Sequence, residues 1–162
     1  MTNRGNRRVL VIDDEVFVRD LLIDFFEKLD FEPVTAADGN AGVDAFRQGT
    51  FSAVLVDLKM PGKSGIETLS DIRAIDTKTP VIIMTGYPTI DTSIEALRLG
   101  AYDYIIKPFK LQDLRDIVDR AIREQELHAE IDTLRDRITN IESQLREHRA
   151  QTAGRPRVPE SS

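Results

Sequence analysis

The chain contains no cysteine, which excludes disulfides and thiolate chemistry, and its two isolated histidines cannot build a zinc site. It also lacks any long hydrophobic run. The apolar stretches Val9 to Ile12, Val54 to Val56 and Val81 to Met84 fall far short of the roughly 20 residues that a membrane-spanning helix needs. The opening MTNRGNRR is basic but no apolar segment of a secretion signal accompanies it. A soluble, cytoplasmic protein with no membrane insertion is therefore expected. Neither a GxGxxG loop nor a P-loop occurs, so nucleotide binding has no support. The formal net charge of −6 argues against a general nucleic-acid binder, which would present a basic face.

What is present can build a core. The chain has 162 residues, of which 41% are hydrophobic and 31% charged, enough for one compact domain with an appendage. Five short β-branched runs recur: VLVID ending at Asp13, EPVTA around Val34, AVLVD ending at Asp57, PVIIMT ending at Thr85 and YDYII ending at Ile106. Amphipathic stretches with helical spacing lie between them, built on Val18, Leu21, Leu22, Phe25, Phe26 and Leu29, on Ile66, Leu69, Ile72 and Ile75, and on Ile90, Ile94 and Leu97. Alternating strands and helices predict βαβ units and a doubly wound parallel sheet covered on both faces.

The ends of these runs carry the chemistry. Asp13 and Asp14 close the first, Asp57 the third and Thr85 the fourth, while Lys107 follows the fifth. In open α/β sheets the ligand site lies beyond the carboxyl ends of the strands. Three carboxylates gathered there would repel one another and hold protons unless a cation joined them. A hard, oxygen-seeking ion such as Mg²⁺ is the natural partner. Lys107 supplies a mobile point charge for an incoming anion, Thr85 a hydroxyl donor, and Gly86 is expected to leave room for a bulky oxyanion. Such a set suits phosphoryl transfer, whose catalysis is mainly positioning and charge neutralisation.

The motifs VLVIDDE, VLVDLKMPGKSG, VIIMTG and YDYIIKPF, in this order over about residues 8 to 122, resemble the receiver domain of two-component response regulators. The stretch MTGYPTIDTSIEALRLGAYDYIIKPF is especially similar to receivers of enhancer-binding transcription activators. The resemblance implies a flavodoxin-like fold with strand order 2-1-3-4-5 and a signalling module that is not an enzyme. It implies that Asp57 is the phosphoacceptor, loaded from a sensor histidine kinase or a histidine phosphotransfer protein. Asp14, Asp57 and the backbone carbonyl of Lys59 would bind Mg²⁺, with Asp13 holding a metal-bound water or the ion itself. Thr85 and Lys107 would contact the phosphoryl oxygens, Tyr104 would be the switch aromatic, and Lys107–Pro108 would be a cis bond. Pro61, Gly62 and Gly65 read as loop geometry that lets backbone approach the site.

A Mg²⁺-dependent aspartyl-phosphate hydrolase is the enzymatic rival. Its first strand should end in a nucleophile Asp with a second Asp two residues later, whereas Glu15 stands two residues after Asp13.

No proline or glycine separates Pro108 from Gly154, so one helix is predicted from about Leu111 to about Arg149. At ~1.5 Å per residue it would run roughly 58 Å, too long for one small domain to cover. Leu127, Ile131, Leu134, Ile138, Ile141 and Leu145 recur with steps of four and three, a heptad seam with Ile131, Ile138 and Leu145 at a. A parallel pair of such helices would set Glu130 against Arg135 of the partner copy and Arg137 against Glu142, both opposite in sign. The stripe of Leu111, Leu114, Val118, Ala121 and Ile122 faces another way, toward the domain. The expected organisation is a flexible arm over 1–7, a receiver over 8–122, a coiled-coil helix over 123–149 that makes a homodimer, and a disordered tail over 150–162.

Overall fold

The computed structural model describes residues 7–154. Strands and helices alternate as β1 (Arg8–Ile12), α1 (Val16–Lys28), β2 (Glu32–Ala36), α2 (Gly39–Gln48), β3 (Ala53–Asp57), α3 (Gly65–Ile75), β4 (Val81–Thr85), α4 (Ile90–Arg98), β5 (Asp103–Ile106) and α5 (Leu111–Ala153). The five strands form one parallel sheet in the order β2-β1-β3-β4-β5, the expected flavodoxin-like topology. Ile12 pairs with Val56, Asp57 with Met84, and Thr85 with Ile106. This register brings the carboxyl ends of β1, β3, β4 and β5 to one edge.

Successive strand residues point to opposite faces, and here both faces are covered. Leu10, Ile12, Val54, Val56, Val81 and Ile83 pack with Val43 and Phe46 of α2 and Leu69 and Ile72 of α3. Val9, Val11, Leu55, Ile82 and Met84 pack with Leu22 and Phe26 of α1 and Leu114, Val118 and Ile122 of α5. Burial on both sides is why β1, β3 and β4 are written with almost no polar interruption. Three helices begin on side-chain caps: Asp38 accepts from the Ala41 N–H, Ser64 from Glu67 and Thr89 from Thr92. Each satisfies one orphan donor of a first turn, a contribution of about 1 kcal/mol.

α4 departs from its sequence reading. Ile90 is 78% exposed, and Ile94 and Leu97 are also exposed, so their shared stripe does not cover the sheet. The helix docks through Ala96, its one fully buried residue among those described. A methyl side chain lets the backbone approach the sheet while the longer neighbours stay in solvent.

Two compact units divide the chain, the first ending at Gln125 and the second beginning at Glu126. In the first, α5 buries Leu114, Val118, Ala121 and Ile122. In the second, all six seam residues are 44–56% exposed. α5 continues to Ala153 rather than stopping near Arg149, so residues 150–153 are helical where a tail was expected. Ala150, Gln151, Thr152 and Ala153 carry no helix breaker, and the stop falls at Gly154. The remainder of that tail and residues 1–6 of the expected arm lie outside the described residues. Arg7, also assigned to the arm, accepts a backbone hydrogen bond from Glu32 at 2.8 Å.

Candidate functional site

The site is built from strand ends. β1 delivers Asp13 fully buried, and β3 delivers Asp57, 5% exposed, while Asp14 stands exposed one residue beyond Asp13. Carboxylate oxygens of the three lie within 4.8 Å of one another. β5 leads into Lys107, whose backbone N–H donates to the Thr85 carbonyl at 2.7 Å. Its ammonium donates to Asp13 Oδ2 at 2.7 Å and lies 3.6 Å from Asp57 Oδ1. The bond from Lys107 to Pro108 is cis, as expected.

Crowding governs the electrostatics. Burial, and after it the charges of Asp13 and Asp14, push the Asp57 carboxyl up to about 6, against the pull of Lys107. Burial would lower Lys107, but its hydrogen bond to Asp13 and the charges of Asp13, Asp57 and Glu15 outweigh it and hold the ammonium above its ordinary value. Three hard oxygen donors that resist sharing negative charge fit a small divalent cation such as Mg²⁺.

The turn from β3 into α3 needs glycine at two positions for different reasons. Gly62 has φ +78°, the left-handed region where side chains are strained. At Gly65 a Cβ would stand 2.4 Å from the Asp57 carbonyl oxygen and 2.7 Å from Leu58 Cα. Helix α3 therefore starts directly against the end of β3, and the Gly65 N–H donates to Leu58 at 2.9 Å. Gly86 is different. A Cβ there would meet no protein atom within 4 Å, so the space around this position is open.

Thr85 is buried at the end of β4, and its hydroxyl accepts from the Tyr87 N–H at 3.0 Å. Lys59, two residues after Asp57, places its ammonium over the Tyr87 ring at 4.5 Å from the centroid. Tyr104 is half-buried, and its hydroxyl lies 3.4 Å from Thr92 Oγ1 at the start of α4. Arg19 of α1 donates to the Asp13 carbonyl at 2.7 Å. Sequence reasoning found Asp13, Asp14, Asp57, Thr85 and Lys107, which the fold gathers. It missed Arg19 and Tyr87, since no periodicity or motif marks either one.

The chain is an α/β domain with a doubly wound sheet whose carboxyl edge carries an acidic cluster, a lysine and a buried hydroxyl. Residues 9–119 match the response regulator receiver domain, and the chain belongs to that family. It is 43% identical over 124 residues to the regulatory protein AtoC of Escherichia coli (strain K12), covering 76% of this chain and 27% of AtoC. The chain thus spans about a quarter of that relative's length. It is 36% identical over 115 residues to sporulation initiation phosphotransferase F of Bacillus subtilis (strain 168), covering 71% of this chain and 93% of that protein. Among crystal structures, response regulator protein TrrA from Thermotoga maritima in complex with Mg²⁺ and BeF is similar with a TM-score of 0.66 at 30% identity, covering 71% of this chain and 98% of TrrA. No helix among the described residues is long and apolar enough to cross a membrane.

Proposed function

We propose that this receiver takes a phosphoryl group on Asp57 from the phosphohistidine of a sensor kinase or phosphotransfer protein, with Mg²⁺, and signals through phosphorylation-dependent protein contacts. The observation that carries the reading is the placement of the Asp57 carboxylate beside Asp13 and Asp14 with Lys107 3.6 Å away. Asp57 is the nucleophile: one of its oxygens forms the new bond to phosphorus, the bond from phosphorus to the donor's imidazole nitrogen breaks, and that electron pair stays on the nitrogen. Without the ion, burial and the neighbouring carboxylates push the Asp57 carboxyl up to about 6; a divalent cation would offset that rise and favour the ionised nucleophile. Asp14, Asp57 and the Lys59 carbonyl would hold Mg²⁺, with Asp13 directly or through water. The ion would offset carboxylate repulsion and neutralise phosphoryl oxygens. Lys107 and Thr85 contact those oxygens, and Tyr104 reports the change by turning inward as Thr85 moves.

The receiver occupies residues 8–122. The helix over 123–149 joins two copies as a parallel coiled coil through Leu127, Ile131, Leu134, Ile138, Ile141 and Leu145. The half-exposure of all six supports this, since a seam buried within one chain would have none to offer. The protein is read as cytoplasmic, with neither nucleic acid nor membrane among its partners.

Similarity to nearly the whole of sporulation initiation phosphotransferase F favours a second reading, in which the phosphoryl group passes onward to a histidine phosphotransfer protein. Incubation with acetyl phosphate and Mg²⁺, read by intact-protein mass spectrometry, tests the acceptor. Asp57→Asn should abolish the added mass. Labelling that survives this change but disappears in Asp13→Asn would instead assign the hydrolase chemistry.

A further inference from the structure

Arg19 has no role in the chemistry described above, yet it touches the acidic loop directly. Helix α1 lacks a side-chain cap at Glu15, and the turn from β1 is held by Asp13 instead. Asp13 Oδ1 accepts the Glu15 N–H at 2.9 Å, Asp13 Oδ2 accepts Lys107 at 2.7 Å, and the Asp13 carbonyl accepts Arg19 Nη1 at 2.7 Å. Arg19's own N–H donates to Glu15 at 3.1 Å, closing an early backbone bond of the helix. The guanidinium therefore reaches back from a rigid first turn onto the loop that precedes it.

The carbonyl it holds belongs to the peptide plane between Asp13 and Asp14. That plane is stiff, so fixing its oxygen fixes where the Asp14 Cα stands and where its carboxylate starts. Asp14 is the member of the trio that no strand anchors, and it is exposed. With three carboxylates within 4.8 Å, repulsion acts to push it outward, into water. A charge-assisted hydrogen bond from arginine opposes that movement and places a positive charge beside the acidic loop.

We propose that Arg19 is a positioning residue that holds Asp14 in place to ligate the divalent ion; this rests on the metal reading given under Proposed function. Lys107 cannot substitute for it, because its ammonium is engaged with the Asp13 side chain and is the group assigned to the incoming phosphoryl oxygens. A lysine at position 19 would keep the charge but lose the planar, directional donor.

Thermal unfolding of the full chain, followed by circular dichroism in EDTA and then in rising MgCl₂, separates a positioning role from a merely structural one. Ligand binding to the native state raises Tm once its concentration passes the dissociation constant, and the rise continues logarithmically beyond that onset. For Arg19→Gln the onset should move to about 10–100-fold higher Mg²⁺, the usual effect of removing a group that orients a metal ligand. Arg19→Lys should fall between that value and the parent. A lower Tm in EDTA with an unchanged Mg²⁺ onset would overturn the inference, since it would make Arg19 only a staple of the helix end. Should Arg19→Gln not fold, Arg19→Lys decides alone: a several-fold shift is expected, and no shift overturns the inference. A parent protein whose Tm does not respond to Mg²⁺ at all overturns the metal reading, and this inference with it.

Discussion

Lys107 and Asp13 meet at 2.7 Å across the carboxyl edge of the sheet, although 94 positions separate them in the chain. Asp13 is fully buried, and Lys107 is the cation that neutralises it. Lys107→Met should therefore leave an uncompensated buried carboxylate and cost about 3–5 kcal/mol of stability in urea unfolding without metal. Mg²⁺ should recover part of this loss by supplying the missing charge. An unfolding midpoint equal to the parent's would show that Lys107 is not what offsets the buried Asp13 side chain.

Replacing the acceptor should have the opposite sign. The Asp57 carboxyl is pushed to about 6 by burial first and by Asp13 next, against 3.8 for an ordinary aspartate. A raised native value favours folding below the unfolded value, and this advantage is lost as pH rises through about 6, where the carboxylate must ionise among its neighbours. Asp57→Asn removes that repulsion. In EDTA at pH 7.5 the variant should exceed its parent by about 1–3 kcal/mol, with the gap closing toward pH 4. Denaturant titrations across this range measure it, and a gap independent of pH would place the repulsion elsewhere.

The two glycines beside the site predict contrasting outcomes. Gly65→Ala would drive a Cβ to 2.4 Å from the Asp57 carbonyl oxygen, a clash with backbone that has no side chain to yield. A loss of about 1–3 kcal/mol is expected, with slower phosphorylation because the end of β3 must shift. Gly86→Ala meets nothing and should stay within about 0.5 kcal/mol of the parent. Equal effects of the two would contradict the close approach of α3 to β3.

The coil is tested by association. Ile138→Asp places a carboxylate in the proposed seam and should abolish dimers in sedimentation equilibrium. Arg135→Glu should weaken association by about 0.2–1 kcal/mol at low salt, and adding Glu130→Arg should restore it. A truncation at Arg123 that dimerises as tightly as the full chain would remove the seam from the interface. A monomeric full chain at tens of micromolar would turn the seam into a docking surface for another protein's helix.

The strand ends were legible because a parallel sheet gathers them: once Ile12, Val56 and Met84 are read as buried strand residues, Asp13, Asp57 and Thr85 must share an edge. The spacing from Leu127 to Leu145 likewise marked a stripe on α5, and its six residues are half-exposed there. Periodicity says which residues share a face, but not whether anything covers it, and so Ile90, Ile94 and Leu97 read like a core stripe. Nor does it say how a long side chain bends. The reach of Arg19 to Asp13, the seat of Lys59 on Tyr87 and the nearer approach of Lys107 to Asp13 than to Asp57 follow from rotamers chosen in a packed structure.

The shallow seating of α4, through Ala96 alone, sets how fast its amides trade hydrogen with the solvent. A helix with so little buried apolar surface opens at a small fraction of the global unfolding free energy, whereas α3, anchored by Leu69 and Ile72, opens only near it. Deuterium should enter α4 first among the helices of the first unit. Beryllofluoride with Mg²⁺, by drawing Thr85 inward and pulling Tyr104 away from Thr92, should change that rate while leaving α3 as it was. An α4 as slow as α3, and unmoved by beryllofluoride, would mean that the helix is fixed by something other than Ala96.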